Sequence, residues 1–109
     1  MLFYATELKT LKEDGKMKVD VNQNKILLVF VEEHVYAISN KCPHLGVSLE
    51  KGTVEGATIT CKAHHATFDL KTGDIIEKPR FLMIKMPSKK VKTYPVEIKN
   101  DKVFVELSN

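Results

Sequence analysis

Apolar and polar residues alternate at both ends of the chain. Lys16-Met17-Lys18-Val19-Asp20-Val21 places every second side chain on one apolar face, and an apolar stretch over residues 25–31 follows a turn built on Asn22-Gln23-Asn24. After the acidic pair Glu32-Glu33, residues 34–38 predict another short strand. Towards the other end, Tyr94-Pro95-Val96-Glu97-Ile98-Lys99 alternates, Asn100-Asp101 makes a tight turn, and residues 103–107 alternate back. Two turn-forming residues between alternating runs are the clearest hairpin signal in the chain. Between Ser39 and about Pro79 the predicted strands shrink to residues 53–55, 57–60 and 67–70, separated by Gly46, Gly52, Gly56 and Gly73. The best helical period covers residues 6–13, and it is short. The pattern predicts an all-β fold: an antiparallel sandwich or barrel made by both chain ends (1–39 and 80–109) with a small loop-rich insert at 40–79.

The 109 residues make one domain, and 17 basic against 14 acidic residues leave a formal charge of +3. That excess is too small to argue for nucleic acid without a concentrated patch. The longest purely apolar run, residues 26–31, falls far short of the roughly 20 residues that cross a bilayer. Met1-Leu2-Phe3-Tyr4 has no basic lead-in and so does not read as a signal peptide. The expectation is a cytoplasmic protein that neither spans nor binds a membrane. Two cysteines are few for a secreted scaffold of this size, although one disulfide stays possible until their surroundings are read.

Those surroundings are Cys42-Pro43-His44-Leu45-Gly46 and Cys61-Lys62-Ala63-His64-His65. Each cluster offers one thiolate and one imidazole on a turn, so two facing loops would present two sulfurs and two nitrogens to a metal centre. A tetrahedral structural zinc takes such a set. Zinc-finger spacing, however, normally groups both cysteines in one knuckle and both histidines in the other, and here each knuckle is mixed. Mixed knuckles suit a two-iron centre in which one iron takes both cysteines and the other both histidines.

On these residues the chain resembles the Rieske proteins, whose [2Fe–2S] cluster is held in that way. The resemblance extends to His65-Ala66-Thr67-Phe68-Asp69-Leu70-Lys71-Thr72-Gly73, which follows the second knuckle as in Rieske ferredoxins, and to the closing hairpin from Lys92 through Val105. It implies one cluster per chain, with Cys42 and Cys61 on one iron and His44 and His64 on the other. It also implies a single-domain, monomeric one-electron carrier rather than a catalyst, taking electrons from a reductase and passing them to an oxygenase or other terminal oxidoreductase. The two imidazoles would be the electron's exit. A small subunit of a nitrite-reductase-type enzyme and a zinc-stabilised binding module without redox role are the alternatives. Lysine and isoleucine usage would suit a thermophilic, archaeal source.

The ligand set has a physical consequence. Two ferric ions and two sulfides carry a net charge of two plus; four thiolates would make that a dianion, whereas two thiolates and two neutral imidazoles leave it at zero. Adding an electron to a neutral cluster costs less, so histidine ligation raises the potential. Ligand imidazoles also lose protons more readily in the oxidised state, so the potential is expected to fall at alkaline pH through His44 and His64. Against respiratory-chain Rieske proteins, Val47 and Ala63 stand where a disulfide would join the two loops. Ala66 and Phe68 stand where serine and tyrosine hydroxyls would donate to the cluster sulfurs. Without those donors the potential belongs near the low end of the Rieske range, about −150 mV.

His65 departs from the pattern, because ferredoxins of this family usually have glycine there, where a tight backbone turn is needed. The expectation is a solvated bystander, with an alternative ligand or a second proton site as the sharper readings. His34, alone in a strand, reads as structural. Leu45 and Leu49 would shield the cluster, or simply pack the core. Pro87, or else Pro79, resembles the proline loop that covers the cluster from its third side. Lys78, Arg80, Lys85, Lys89, Lys90 and Lys92 form a run with no acid before Val96. It reads either as a docking surface for an acidic redox partner or as a solvated loop; nucleic-acid binding is disfavoured because no aromatic residues interleave with it.

Overall fold

Six apolar residues stand in a row at 26–31 because both faces of their strand are covered. The computed structural model describes residues 1–41, 48–62, 65–77, 80–81, 84–85 and 90–107. Its elements are β1 (Leu2–Glu7), α1 (Leu8–Asp14), β2 (Lys16–Val21), β3 (Asn24–Val31), β4 (His34–Ser39), β5 (Thr53–Glu55), β6 (Thr58–Thr60), β7 (Thr67–Asp69) and β8 (Ile75–Glu77). Then come β9 (Arg80–Phe81), β10 (Ile84–Lys85), β11 (Thr93–Tyr94), β12 (Val96–Lys99) and β13 (Lys102–Glu106). The central sheet has the order β11-β4-β3-β2, an outer sheet is β1-β13-β12, and a third is β5-β6-β7-β8; β9 and β10 pair with each other. Every pairing is antiparallel.

Side chains alternate across the central sheet and so feed two cores. Leu27, Val29 and Ile38 point to one side, where they pack with Leu49, Ile59, Cys61, Ala66, Phe68, Leu70 and Val91. Ile26, Leu28 and Ala37 point to the other, against Leu11, Val103, Val105 and Leu107. Cross-strand register keeps the two sets apart: Leu27 lies opposite Ile38, and Leu28 opposite Ala37. A strand covered on both faces reads as a continuous apolar run, whereas β2, at the sheet edge, keeps the alternation. Met17, Val19 and Val21 of β2 face the second core. On its other face Lys16 reaches across to the carbonyls of Glu50 and Gly52, at 2.6 and 2.5 Å.

The insert is more ordered than loop-rich implies, since β5 to β8 form a sheet of their own. Two further expectations change. The helix starts later than residue 6, because Thr6 and Glu7 pair with Val103 and Lys102 as the end of β1. A bulge between Tyr4 and Thr6 spoils the alternation that would have announced that strand. The strand expected over 94–99 is divided at Pro95, which has no N–H for a ladder. There the chain crosses from β4 of the central sheet to β13 of the outer one. Within the first core lies Gly73, at φ +80°, where a Cβ would sit 2.0 Å from the Val91 carbonyl oxygen. Only glycine fits that approach, which lets the Val91 N–H donate to the Gly73 carbonyl (2.9 Å).

Candidate metal centre

The central sheet and the insert each deliver the chain into a six-residue loop. β4 leads into the first, residues 42–47, whose neck is an antiparallel bridge between Lys41 and Ser48. Asn40 roots this neck. It is the only buried polar residue among the described residues. Its N–H donates to the Lys25 carbonyl (2.9 Å), its carbonyl accepts from the Leu49 N–H (3.2 Å), and its Nδ2 donates to Ser48 Oγ (3.0 Å). Among the described residues the buried Asn40 Oδ1 has no hydrogen-bond partner, which leaves an acceptor at the base of the loop. Ser48 Oγ also accepts from the Glu50 N–H (3.2 Å), which turns the chain towards β5.

The second loop, residues 61–66, joins β6 to β7. Thr60 and Thr67 face each other at its neck, their hydroxyl oxygens 2.9 Å apart. The Cys61 N–H donates to the Ala66 carbonyl (2.7 Å), and the His65 N–H donates to the Cys61 carbonyl (3.1 Å). The two necks are adjacent. A Cβ on Gly52 would lie 2.7 Å from the Thr60 carbonyl oxygen and 3.0 Å from that of Leu49, a contact that only glycine permits. Leu49, Cys61 and Ala66 belong to one core.

Of the four predicted ligands, Cys61 is placed at the second neck, buried and not in a disulfide. Cys42, His44 and His64 lie outside the described residues, as do Pro43, Leu45, Val47, Ala63, Pro79 and Pro87. Ala66 and Phe68 are fully buried beside Cys61, so that core face carries no hydroxyl at either position. His65 is exposed at φ +60°, the left-handed conformation that explains why glycine suits the position. His34 is exposed, its ring edge-on to Tyr36 at 6.1 Å. Lys90, in the basic run, lies 3.5 Å from an Asp74 oxygen. Asn40, Ser48 and Gly52 were not anticipated. The available signal was a polar residue, Asn40, just past the end of β4 and two positions before Cys42.

The family model for the Rieske [2Fe-2S] domain matches residues 1–95. The chain belongs to the Rieske family. It is 33% identical over 104 residues to the naphthalene 1,2-dioxygenase system ferredoxin component of Pseudomonas putida, covering 95% of this chain and 93% of that one. The solved ferredoxin of carbazole 1,9a-dioxygenase from Nocardioides aromaticivorans IC177 superposes with a TM-score of 0.76 at 28% identity, covering 96% of each chain. A chain from an oxygenase and ferredoxin complex of carbazole 1,9a-dioxygenase matches with a TM-score of 0.78 at 27% identity, over 95% of this chain and 27% of the other. The Rieske protein described here is therefore an electron carrier, not itself catalytic, and its cofactor is a Rieske [2Fe–2S] cluster. The described residues fit such a group: a buried, unbridged thiol stands at the neck of one loop, packed against the neck of a second. Family membership sets aside the zinc-clip alternative.

Proposed function

We propose that Cys42 and Cys61 hold one iron of the cluster and His44 and His64 the other, and that the protein carries single electrons from a reductase to the oxygenase of a ring-hydroxylating system. The observation that carries this reading is the pairing of the two loop necks through Leu49, Cys61 and Gly52. Each six-residue loop then offers its first residue as a thiolate and its third or fourth as an imidazole. Residues 40–79 serve as the cluster-binding part on a base of residues 1–39 and 80–109. The dioxygenase ferredoxins to which the chain is similar over nearly its whole length support the reductase and oxygenase as partners.

When bound, the cluster supplies one-electron chemistry. The protein's part is to hold the ligands on rigid necks and to keep the sulfur side dry and apolar. Ala66 and Phe68 give that side no hydroxyl donor, which supports a low potential, about −150 mV. The test is iron analysis with low-temperature EPR before and after dithionite. About two irons per chain, a silent oxidised state and a reduced signal of low average g are expected. Replacing Cys42, His44, Cys61 or His64 singly by alanine should abolish that signal; a signal that survives all four changes overturns the assignment. A potential above about +100 mV would contradict the argument from Ala66 and Phe68.

A further inference from the structure

The outer sheet ends in an open edge. In the order β1-β13-β12, strand β12 pairs only with β13 among the described residues. Glu97, Ile98 and Lys99 are all exposed, and Ile98 keeps 43% of its surface in solvent. The register decides which backbone groups this edge presents. Lys99 and Lys102 flank the two-residue turn, and residues so placed exchange both of their hydrogen bonds, as do Glu97 and Phe104 one step further on. The Glu106 N–H, donating to the Pro95 carbonyl (2.9 Å), continues the same alternation. The N–H and C=O groups of Val96 and Ile98 therefore point away from the sheet. Glu97 and Lys99 share one face of the strand, where their charged ends lie 3.4 Å apart, and Ile98 takes the other. Lys99 also lies opposite a like charge, Lys102, whose carboxylate partner is Glu7.

We propose that β12 pairs with β12 of a second copy of this chain, antiparallel and centred on Ile98, so that the two outer sheets join across a twofold axis. Ile98 then exchanges two hydrogen bonds with its counterpart, and the two side chains meet on one face. On the other face Glu97 falls opposite the second copy's Lys99, and Lys99 opposite its Glu97. The four charges alternate around a square, so every side of it is attractive. The same rule fixes the register. Only Val96 and Ile98 offer free backbone groups, and a slip that sets Val96 opposite Ile98 puts Glu97 against Glu97. A slip centred on Val96 sets Glu97 against Pro95 and Ile98 against Tyr94, which is already paired with Ala37 of β4. Lysine on an open edge guards it against stray pairing. Here a glutamate two residues away makes the edge match its own copy. Four residues bury little area, so the complex is weak, with a Kd of about 0.1 mM. The pairing does not rest on the ligand assignment.

The test is sedimentation equilibrium of the intact protein from about 10 µM to about 1 mM, a range that brackets this Kd. The wild type should pass from one copy to two. Glu97→Lys and Lys99→Glu should each weaken association at least about tenfold, although they move the net charge in opposite directions. The double swap Glu97→Lys/Lys99→Glu rebuilds the square with its signs exchanged and should return association to within about threefold of the wild type. Hydrogen exchange locates the contact. The Ile98 amide should exchange more slowly in the concentrated sample, while the Glu97 amide, already bonded to β13, should not change. A single copy at every concentration would overturn the proposal. So would weakening by only one of the two single changes, which would mean that net charge governs association. A swap variant as weak as the single ones, or a dimer whose Ile98 amide exchanges as fast as in the dilute sample, would place the contact elsewhere and equally overturn it.

Discussion

His65 occupies a backbone conformation that favours a residue without a side chain. At φ +60° its Cβ is crowded by its own backbone, and its imidazole is exposed. Glycine relieves the crowding but loses more entropy on folding, so the two effects partly cancel. His65→Gly should therefore stabilise the protein only modestly, by about 0.5–1 kcal/mol in thermal or denaturant unfolding, and leave the EPR spectrum unchanged. A lost or shifted spectrum would make His65 more than a bystander. Leu49 is the opposite case. It is fully buried between the two loop necks. Leu49→Ala should cost about 2–5 kcal/mol of unfolding free energy, and iron should be lost faster on incubation with a chelator. Unchanged stability and unchanged iron release would mean that the necks do not depend on each other.

At the scale of elements, three of the two-residue hairpin turns have positive φ at both residues: Asn22-Gln23, Glu32-Glu33 and Asn100-Asp101. This is the turn whose twist matches that of the flanking strands, and asparagine followed by glycine fits it best. The outer pairs contain asparagine or aspartate, and they were legible as turns for that reason. Glu32-Glu33 has no such chemistry. Its position is set by the register of β3 on β4, with Val31 opposite His34. Replacing Glu32-Glu33 by Asn-Gly should raise stability by about 1 kcal/mol, read as a higher denaturant midpoint at constant slope. A lower midpoint would show that the glutamates hold the turn by contacts of their own.

For the molecule as a whole, the two chain ends close the outer sheet. The Met1 amine donates to Glu106 and to the Leu107 carbonyl (3.1 Å). The Tyr4 hydroxyl donates to Glu7, which Lys102 meets at 3.2 Å from the other strand. The hydrogen bond from Tyr4, and then that from Lys102, hold the Glu7 carboxyl below its ordinary value of 4.5. A lowered carboxylate stabilises the fold above that ordinary value, and its contribution is lost as pH falls through the folded value. Glu7→Gln should accordingly lower Tm slightly at neutral pH, where the carboxylate's contribution is present, and flatten the fall of Tm below about pH 4.5 so that variant and wild type converge in acid. Because these groups are exposed, added salt should shrink the difference. A Tm profile superimposable on that of the wild type would remove Glu7 from acid denaturation.

By itself, the sequence determined the all-β class, most of the base strands, the two mixed knuckles and, through them, the family and its cluster. These are local properties: alternation follows from the two-residue repeat of a strand, and ligand chemistry is written in residue type and spacing. Only the tertiary structure decided that residues 26–31 divide their side chains between two cores, and that Pro95 is where the chain changes sheets. The same holds for the roles of Asn40, Gly52 and Leu49 in joining the necks. Those facts depend on which surfaces meet, and residues such as Leu49 and Thr60 become neighbours only after the sheets have formed and packed.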